Sequence, residues 1–165
     1  IGNTLCIEDP IPRWKIEEYV QIRNYSPIPV VLHVSLPYVD HGQRVHEAIR
    51  ALQHQAIDGF NFNCGLANFQ KLDHIATAAE LPCWHGSEID LGIMEAMYLH
   101  SCAAAQSCEW PSDIFGTLIR SHDLLKQSIR IEPPYAFLPE GIGLGVEPDL
   151  EAINKHLINQ AEVLN

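Results

Sequence analysis

Short apolar runs that each end in a polar side chain recur about every 25 to 28 residues along this chain, close to the spacing of repeated strand–helix units. The first run, Thr4-Leu5-Cys6-Ile7, stops at Glu8. Later ones end at His33, at Asn61 and Asn63, and at His85, and Asp113 follows the last. Between them the apolar residues fall at helical intervals: Ile16, Tyr19, Val20 and Ile22, then Val45, Ala48, Ile49 and Leu52, then Phe69, Leu72, Ile75, Ala76 and Ala79. This alternation predicts parallel strands joined by right-handed helical crossovers, because parallel neighbours cannot be joined by a tight turn. Strands are expected at 4–7 with Glu8 closing the first, 29–34, 57–63, 81–85 and 108–110, and helices at 14–24, 42–54, 67–80, 91–106 and 150–164.

Such a chain is α/β, and its five strands fit either a doubly wound open sheet or part of a (βα)8 barrel. Every polar strand member sits at a strand's C-terminal end, where a barrel gathers its functional side chains. That favours the barrel, although the clefts of doubly wound sheets also lie at carboxyl ends. With 165 residues, 47% of them hydrophobic and 19% charged, the chain can bury one substantial core. A net charge of −11 with only 10 lysines and arginines argues against a nucleic-acid surface, which needs clustered bases. No apolar run approaches the roughly 18 residues of a membrane-spanning helix. The five cysteines are odd in number and form no C-x-x-C pair, as expected of reduced thiols in a cytoplasm. After Pro111 the regularity stops: Pro133-Pro134, Pro139-Glu140-Gly141, Gly143 and Gly145 make a turn-rich arm, and Asp149 is placed to cap a final helix.

Alternation along a strand assigns faces. Val30, Leu32 and Val34 make an apolar set for the helix layer, which leaves His33 with Val31 on the other face. Phe60 and Phe62 likewise leave Asn61 and Asn63 inside, Cys83 is expected to share the inner face with His85, and Cys6 with Glu8. One mouth is therefore expected to gather Glu8, His33, Asn63 and His85, with Asp113 on the last strand. Each of these alone is an ordinary strand-end cap; their convergence at one end of successive strands is what points to a site. A carboxylate with imidazoles can hold a divalent metal, Mg²⁺ if oxygen donors dominate, zinc or another transition metal if imidazoles do. His33 with His85 is the pair a zinc-dependent hydrolase would need. Gly141-x-Gly143-x-Gly145 lacks a preceding strand–helix turn, and Gly86-Ser87-Glu88 lacks the second glycine of a nucleophile elbow.

Three segments together resemble the mandelate racemase/muconate lactonizing enzyme group of the enolase superfamily. Ile7-Glu8-Asp9-Pro10 is similar to that group's I-E-[QED]-P strand end. Ser112-Asp113-Ile114-Phe115-Gly116 with Leu118-Ile119 is similar to its E-L-F-G-P-L-L segment, and Pro139-Glu140-Gly141-Ile142-Gly143-Leu144-Gly145-Val146 to its terminal P-x-G-P-G-L-G-V arm. The resemblance implies about strands four to eight of a (βα)8 TIM-type barrel with a returning C-terminal arm: residues 1–132 as the partial barrel and 133–165 as arm and helix returning toward a capping domain. That domain, the first three strands, a pair of lysines and a first acidic ligand are expected upstream of Ile1, and this chain alone is expected to be inactive. The implied chemistry is metal-assisted proton abstraction next to the carboxylate of a small acid, with Mg²⁺ the implied ion and Glu8 its second ligand. The implied outcomes are racemisation, cycloisomerisation or dehydration. His33 stands where the group has an acid, so another divalent metal gains favour; Asn61 and Asn63 stand where muconate-type members carry a catalytic lysine. His85 is then the candidate acid/base, and a dyad of Asp58 with His85 is disfavoured because alternation turns Asp58 away. The alternative is a catalytically impaired member serving as a binding or assembly protein. A homo-oligomer is implied; a nucleic-acid or membrane partner is not.

Overall fold

The computed structural model describes residues 3–34, 44–87 and 89–158. Strand β1 (Ile7–Glu8) lies beside β2 (Val30–Val34), then β3 (Gly59–Phe62), then β4 (Cys83–His85), all parallel and in sequence order. The crossovers are α1 (Ile16–Tyr25), α2 (Arg44–Gln53) and α3 (Leu66–Ala78), and α4 (Gly92–Ala104) follows β4. Residues 42 and 43 of the second expected helix lie outside the described residues.

All three crossover helices bury their apolar side chains on one face of the sheet. Ile16 and Tyr19 from α1, Ala48 and Ala51 from α2, and Phe69, Leu72 and Ala76 from α3 join Val30, Leu32, Val34, Phe60, Phe62 and Cys83 in one buried cluster. A doubly wound sheet would put helices on both faces. Sequential strands covered on one side form an arc of a (βα) barrel, which decides between the two expected architectures. At the centre of the cluster Phe60 and Phe62 stack with centroids 4.9 Å apart, and Phe69 meets Phe62 edge-on at 6.2 Å.

The fifth expected strand, Cys108 to Trp110, is not a regular strand. Its segment does run beside β4: Cys83 N–H donates to the Ser107 carbonyl, and the Trp110 and Asp113 N–H groups donate to Cys83 and His85 carbonyls. A tight turn from Glu109 N–H to the Ser107 carbonyl inserts an extra residue, and Pro111 has no N–H to give, so the ladder breaks. Asp73 of α3 anchors this segment from below. Its buried carboxylate accepts from the Gln106 and Ser107 N–H groups and from the Ser107 hydroxyl.

The chain divides into two compact units, residues 1–88 with 101–114 and residues 89–100 with 115–165. The second holds the start of α4, a short helix α5 (Gly116–Ile119), a hairpin of β5 (Ile131–Glu132) with β6 (Tyr135–Ala136), and α6 (Leu150–His156). As expected, Asp149 caps α6, its Oδ1 accepting from Ala152 N–H at 3.0 Å. The helix stops at His156 because Leu157 is extended, and residues 159–165 lie outside the described ones. Gly145 has φ +72°, and a Cβ there would come within 2.6 Å of the Pro139 carbonyl oxygen, so the arm requires glycine. Fully buried Glu95 of α4 accepts the Gly116 N–H that opens α5. Burial pushes its carboxyl above the ordinary glutamate value; the N–H groups of Gly116 and Thr117 oppose this, and Asp123 and Asp90 add to it.

Two outcomes are expected. Phe62→Ala empties the centre of the aromatic cluster and should lower the unfolding free energy by about 3–5 kcal/mol, read by denaturant titration. For Glu95, a carboxyl raised in the folded state means that the folded protein holds its proton longer than the unfolded chain. That contribution is present below the ordinary glutamate value and is lost as pH rises through the folded one. Glu95→Gln should therefore flatten the decline of the urea midpoint with rising pH above about pH 4, and an unchanged slope would refute the assignment.

Candidate functional site

The sheet face opposite the helices carries the polar strand ends. Glu8 closes β1, His33 lies in β2 and Asn61 in β3, with His33 and Asn61 in register across the ladder. Glu8 Oε1 lies 3.1 Å from His33 Nδ1 and accepts from Asn61 Nδ2 at 2.9 Å. The His33 hydrogen bond holds the Glu8 carboxyl below its ordinary value against the effect of partial burial, and Asn61 adds to that. Asn61 reaches this position because Gly86 has no side chain: a Cβ there would lie 2.3 Å from Asn61 Oδ1. Next along the face, Trp84 of β4 donates its indole N–H to Asp113 Oδ2 at 3.3 Å. Burial raises the Asp113 carboxyl, the Trp84 N–H opposes this, and the Glu8 charge raises it further.

Asp9, which follows Glu8, braces the loop behind this row. Its Oδ1 accepts the His33 N–H at 3.0 Å and lies 3.1 Å from the Tyr19 hydroxyl, and its Oδ2 lies 3.9 Å from the Arg13 guanidinium. Asp9 sits at φ 41°, a left-handed conformation that a short polar residue tolerates better than most. Sequence reasoning passed over Asp9 and Trp84. The signal for Asp9 was its place inside the Ile7-Glu8-Asp9-Pro10 strand end; Trp84 gave none, since an indole beside two other buried residues fits either face.

His85 requires a correction. It does not face the inner side with His33: it pairs in register with Phe62, is fully buried, and stacks on Phe69 of α3 with centroids 4.5 Å apart. Its Nδ1 lies 2.6 Å from the Gly86 carbonyl oxygen. Cys83 joins the helix-side cluster, so β4 is turned by one residue from the expected orientation, and Trp84 occupies the inner face. The physical reason is that Cys83-Trp84-His85 alternates without a clear polar member, whereas the ladder with β3 fixes which residues share a face with Phe60 and Phe62. A zinc site built on His33 and His85 is excluded by the same geometry, because the two imidazoles lie on opposite faces. Asn63 is buried just past β3, where its N–H donates to the Val34 carbonyl at 3.3 Å. Asp58 precedes β3 at the other end of the strand, bonded to Arg23 and to the Val30 N–H.

Among the described residues, Glu8, Asp9 and His33 form a group whose ligand atoms lie within 4.8 Å of one another. Within this group Asp9 Oδ1 accepts from the His33 N–H and Tyr19. Among the described residues, His33 Nε2 and Asn61 Oδ1 are buried without a hydrogen-bond partner. A carboxylate with an imidazole is a donor set that fits a divalent ion. A cleft of about 640 Å³ is lined by second-unit residues such as Lys126, Arg130, Phe137 and Glu147 and contains none of the expected site residues.

Comparison with known proteins places the chain among relatives. The chain is 30% identical over 156 residues to muconate cycloisomerase 1 of Rhodococcus opacus, a match covering 92% of this chain and 40% of that protein. It is 25% identical over 154 residues to a chloromuconate cycloisomerase of Cupriavidus necator, covering 91% and 40%. The chain thus spans about 40% of the length of these curated relatives. Among solved structures, the fold matches N-succinyl Arg/Lys racemase from Bacillus cereus with a TM-score of 0.83 at 20% identity, over 95% of this chain and 41% of that one. It matches muconate cycloisomerase from Pseudomonas fluorescens with a TM-score of 0.80 at 21% identity, over 91% and 41%. Residues 2–153 match the family described as enolase C-terminal domain-like, and with the strand-end carboxylate, the one-sided helix layer and the glycine arm in place, the chain belongs to that family.

Proposed function

We propose that the full-length protein is a divalent-metal-assisted lyase or isomerase of the enolase superfamily, removing the proton next to the carboxylate of a small carboxylic acid by way of racemisation, cycloisomerisation or dehydration. The observation that carries this reading is the Glu8 carboxylate at a strand end, fixed by His33 and Asn61 on the sheet face opposite the α1–α3 cluster. Glu8 and His33 are the residues that would hold the metal, which when bound supplies electrostatic stabilisation to the substrate carboxylate as its neighbouring proton leaves. Mg²⁺ is the ion the resemblance implies; the His33 imidazole shifts preference toward a transition metal. Asn61 orients Glu8. Asp113, whose burial favours the protonated form, is our candidate for donating a hydrogen bond or returning a proton, and Asn63 for a polar contact to substrate. His85, stacked on Phe69, positions β4 rather than acting as the acid/base.

The second reading is a family member that has lost proton abstraction and acts as a binding or assembly protein. It is favoured by the helix-side placement of His85 together with asparagines rather than a lysine at positions 61 and 63.

Proton–deuterium exchange on the full-length protein separates the two. Incubated in D₂O with muconate, acid-sugar and amino-acid derivatives, it is expected to exchange the proton next to a substrate carboxylate in a metal-dependent way, followed by NMR. Exchange in none of these classes, with metal bound, supports the second reading. Glu8→Gln should weaken divalent-metal binding at least about tenfold in calorimetry, and a full-length protein that binds no divalent metal would sink the first reading. His85→Ala should lower stability by about 2–4 kcal/mol through the cavity beside Phe69 and leave exchange intact in the folded fraction. Loss of exchange in a folded His85→Ala protein would return His85 to an acid/base role.

A further inference from the structure

Glu8 Oε1 takes contacts from two further strands, His33 Nδ1 of β2 at 3.1 Å and Asn61 Nδ2 of β3 at 2.9 Å. His33 and Asn61 are register partners, so their side chains leave the sheet next to each other on one face, and Glu8 at the end of β1 meets both. Two donor atoms each about 2.1 Å from a divalent ion lie about 3.0–3.4 Å apart in octahedral or tetrahedral geometry. Both contacts are close to that separation. Three successive strands thus bring a carboxylate, an imidazole and an amide to one point.

The amide is the member with an unmet need. Asn61 is 2% exposed, and while its Nδ2 donates to Glu8, its Oδ1 has no hydrogen-bond partner among the described residues. Room for the group exists because residue 86 is glycine: a Cβ there would lie 2.3 Å from Oδ1 and 3.0 Å from Nδ2. A half-turn about the last side-chain bond exchanges the two ends without changing the shape, and directs Oδ1 to where Nδ2 now meets Glu8. With no ion, that would set two oxygens against each other, so the N–H faces Glu8. With a cation at that point, the two oxygens share it. Asp9, the other acid near this point, would have to give up the His33 N–H and the Tyr19 hydroxyl to do the same.

We propose that Asn61 is a third protein ligand of the metal site: its Oδ1 joins the Glu8 carboxylate and the His33 imidazole on a bound divalent ion, and its Nδ2 holds Glu8 in place when the ion is absent. The inference rests on the metal-assisted reading above and adds a donor from β3 to those of β1 and β2. One carboxylate, one neutral imidazole and one neutral amide carry a single negative charge between them. The charge at position 61 therefore sets how tightly this face holds a doubly charged ion.

The test uses the full-length protein, stripped of metal with a chelator and reloaded with Mn²⁺. In its crystals the anomalous signal of the ion should fall about 2.2 Å from Asn61 Oδ1 as well as from Glu8 and His33. In calorimetry, Asn61→Asp keeps the shape and makes the ligand anionic, and should bind Mn²⁺ at least about tenfold more tightly than the parent protein. Asn61→Leu keeps the bulk and removes the oxygen, and should bind at least about tenfold more weakly. Circular dichroism of the metal-free variants checks that each is folded, and the crystal of the parent protein decides the question if either is not. An ion on Glu8 with the Asn61 amide oxygen more than about 3 Å away would overturn the proposal. So would Asn61→Asp binding no more tightly than Asn61→Leu, or a protein that takes up no ion on this face. An ion held by all three residues in a protein that exchanges no substrate proton would leave the ligand assignment standing and refute the proposed reaction.

Discussion

The shared face on which α1, α2 and α3 pack is the constraint that the rest of the first unit depends on. Once Phe69, Leu72 and Ala76 need somewhere dry to sit, Phe60 and Phe62 must point toward them. Strand alternation then sends Asn61 the other way and, through the ladder, His33 and Trp84 with it. The polar row is thus a by-product of core packing. Side chains on the helix side lose water and exclude charge, so the strands can carry carboxylates and amides only on the opposite face, at ends where the backbone passes into loops.

That row is small but tightly coupled. Glu8 is fixed by a histidine and an amide, and the backbone of that histidine is in turn tied to Asp9, which holds Tyr19 and Arg13. Two adjacent acids therefore have different tasks: Glu8 points into the face, and Asp9 turns back to hold the loop that presents it. The difference follows from backbone geometry, since the left-handed conformation of Asp9 reverses the side chain's direction within one residue.

Much of this was legible in the sequence. The unit spacing marked four of the strands and the helices between them, and the apolar sets of β2 and β3 assigned His33 and Asn61 to one face because Val30, Leu32, Val34, Phe60 and Phe62 left no other choice. The same argument failed on β4. Three residues, all able to be buried, carry too little contrast for alternation to choose a face, and the ladder to Phe62 chose it instead. The fifth strand failed for a different reason: its hydrogen bonds to β4 exist, but an inserted residue and Pro111 break their rhythm, and neither effect registers in hydrophobic pattern.

The sequence by itself determined the α/β class, the order of the units, the strand-end acid at Glu8, the Asp149 cap and the glycine arm, because each is written in local periodicity or in a residue type with special backbone or hydrogen-bonding ability. Only the tertiary structure decided that the helices share one face, that His85 belongs to the core and Trp84 to the opposite face, and that Asp9 is a brace. Those outcomes depend on contacts between residues far apart in the chain, fixed by strand register and by competition for buried volume.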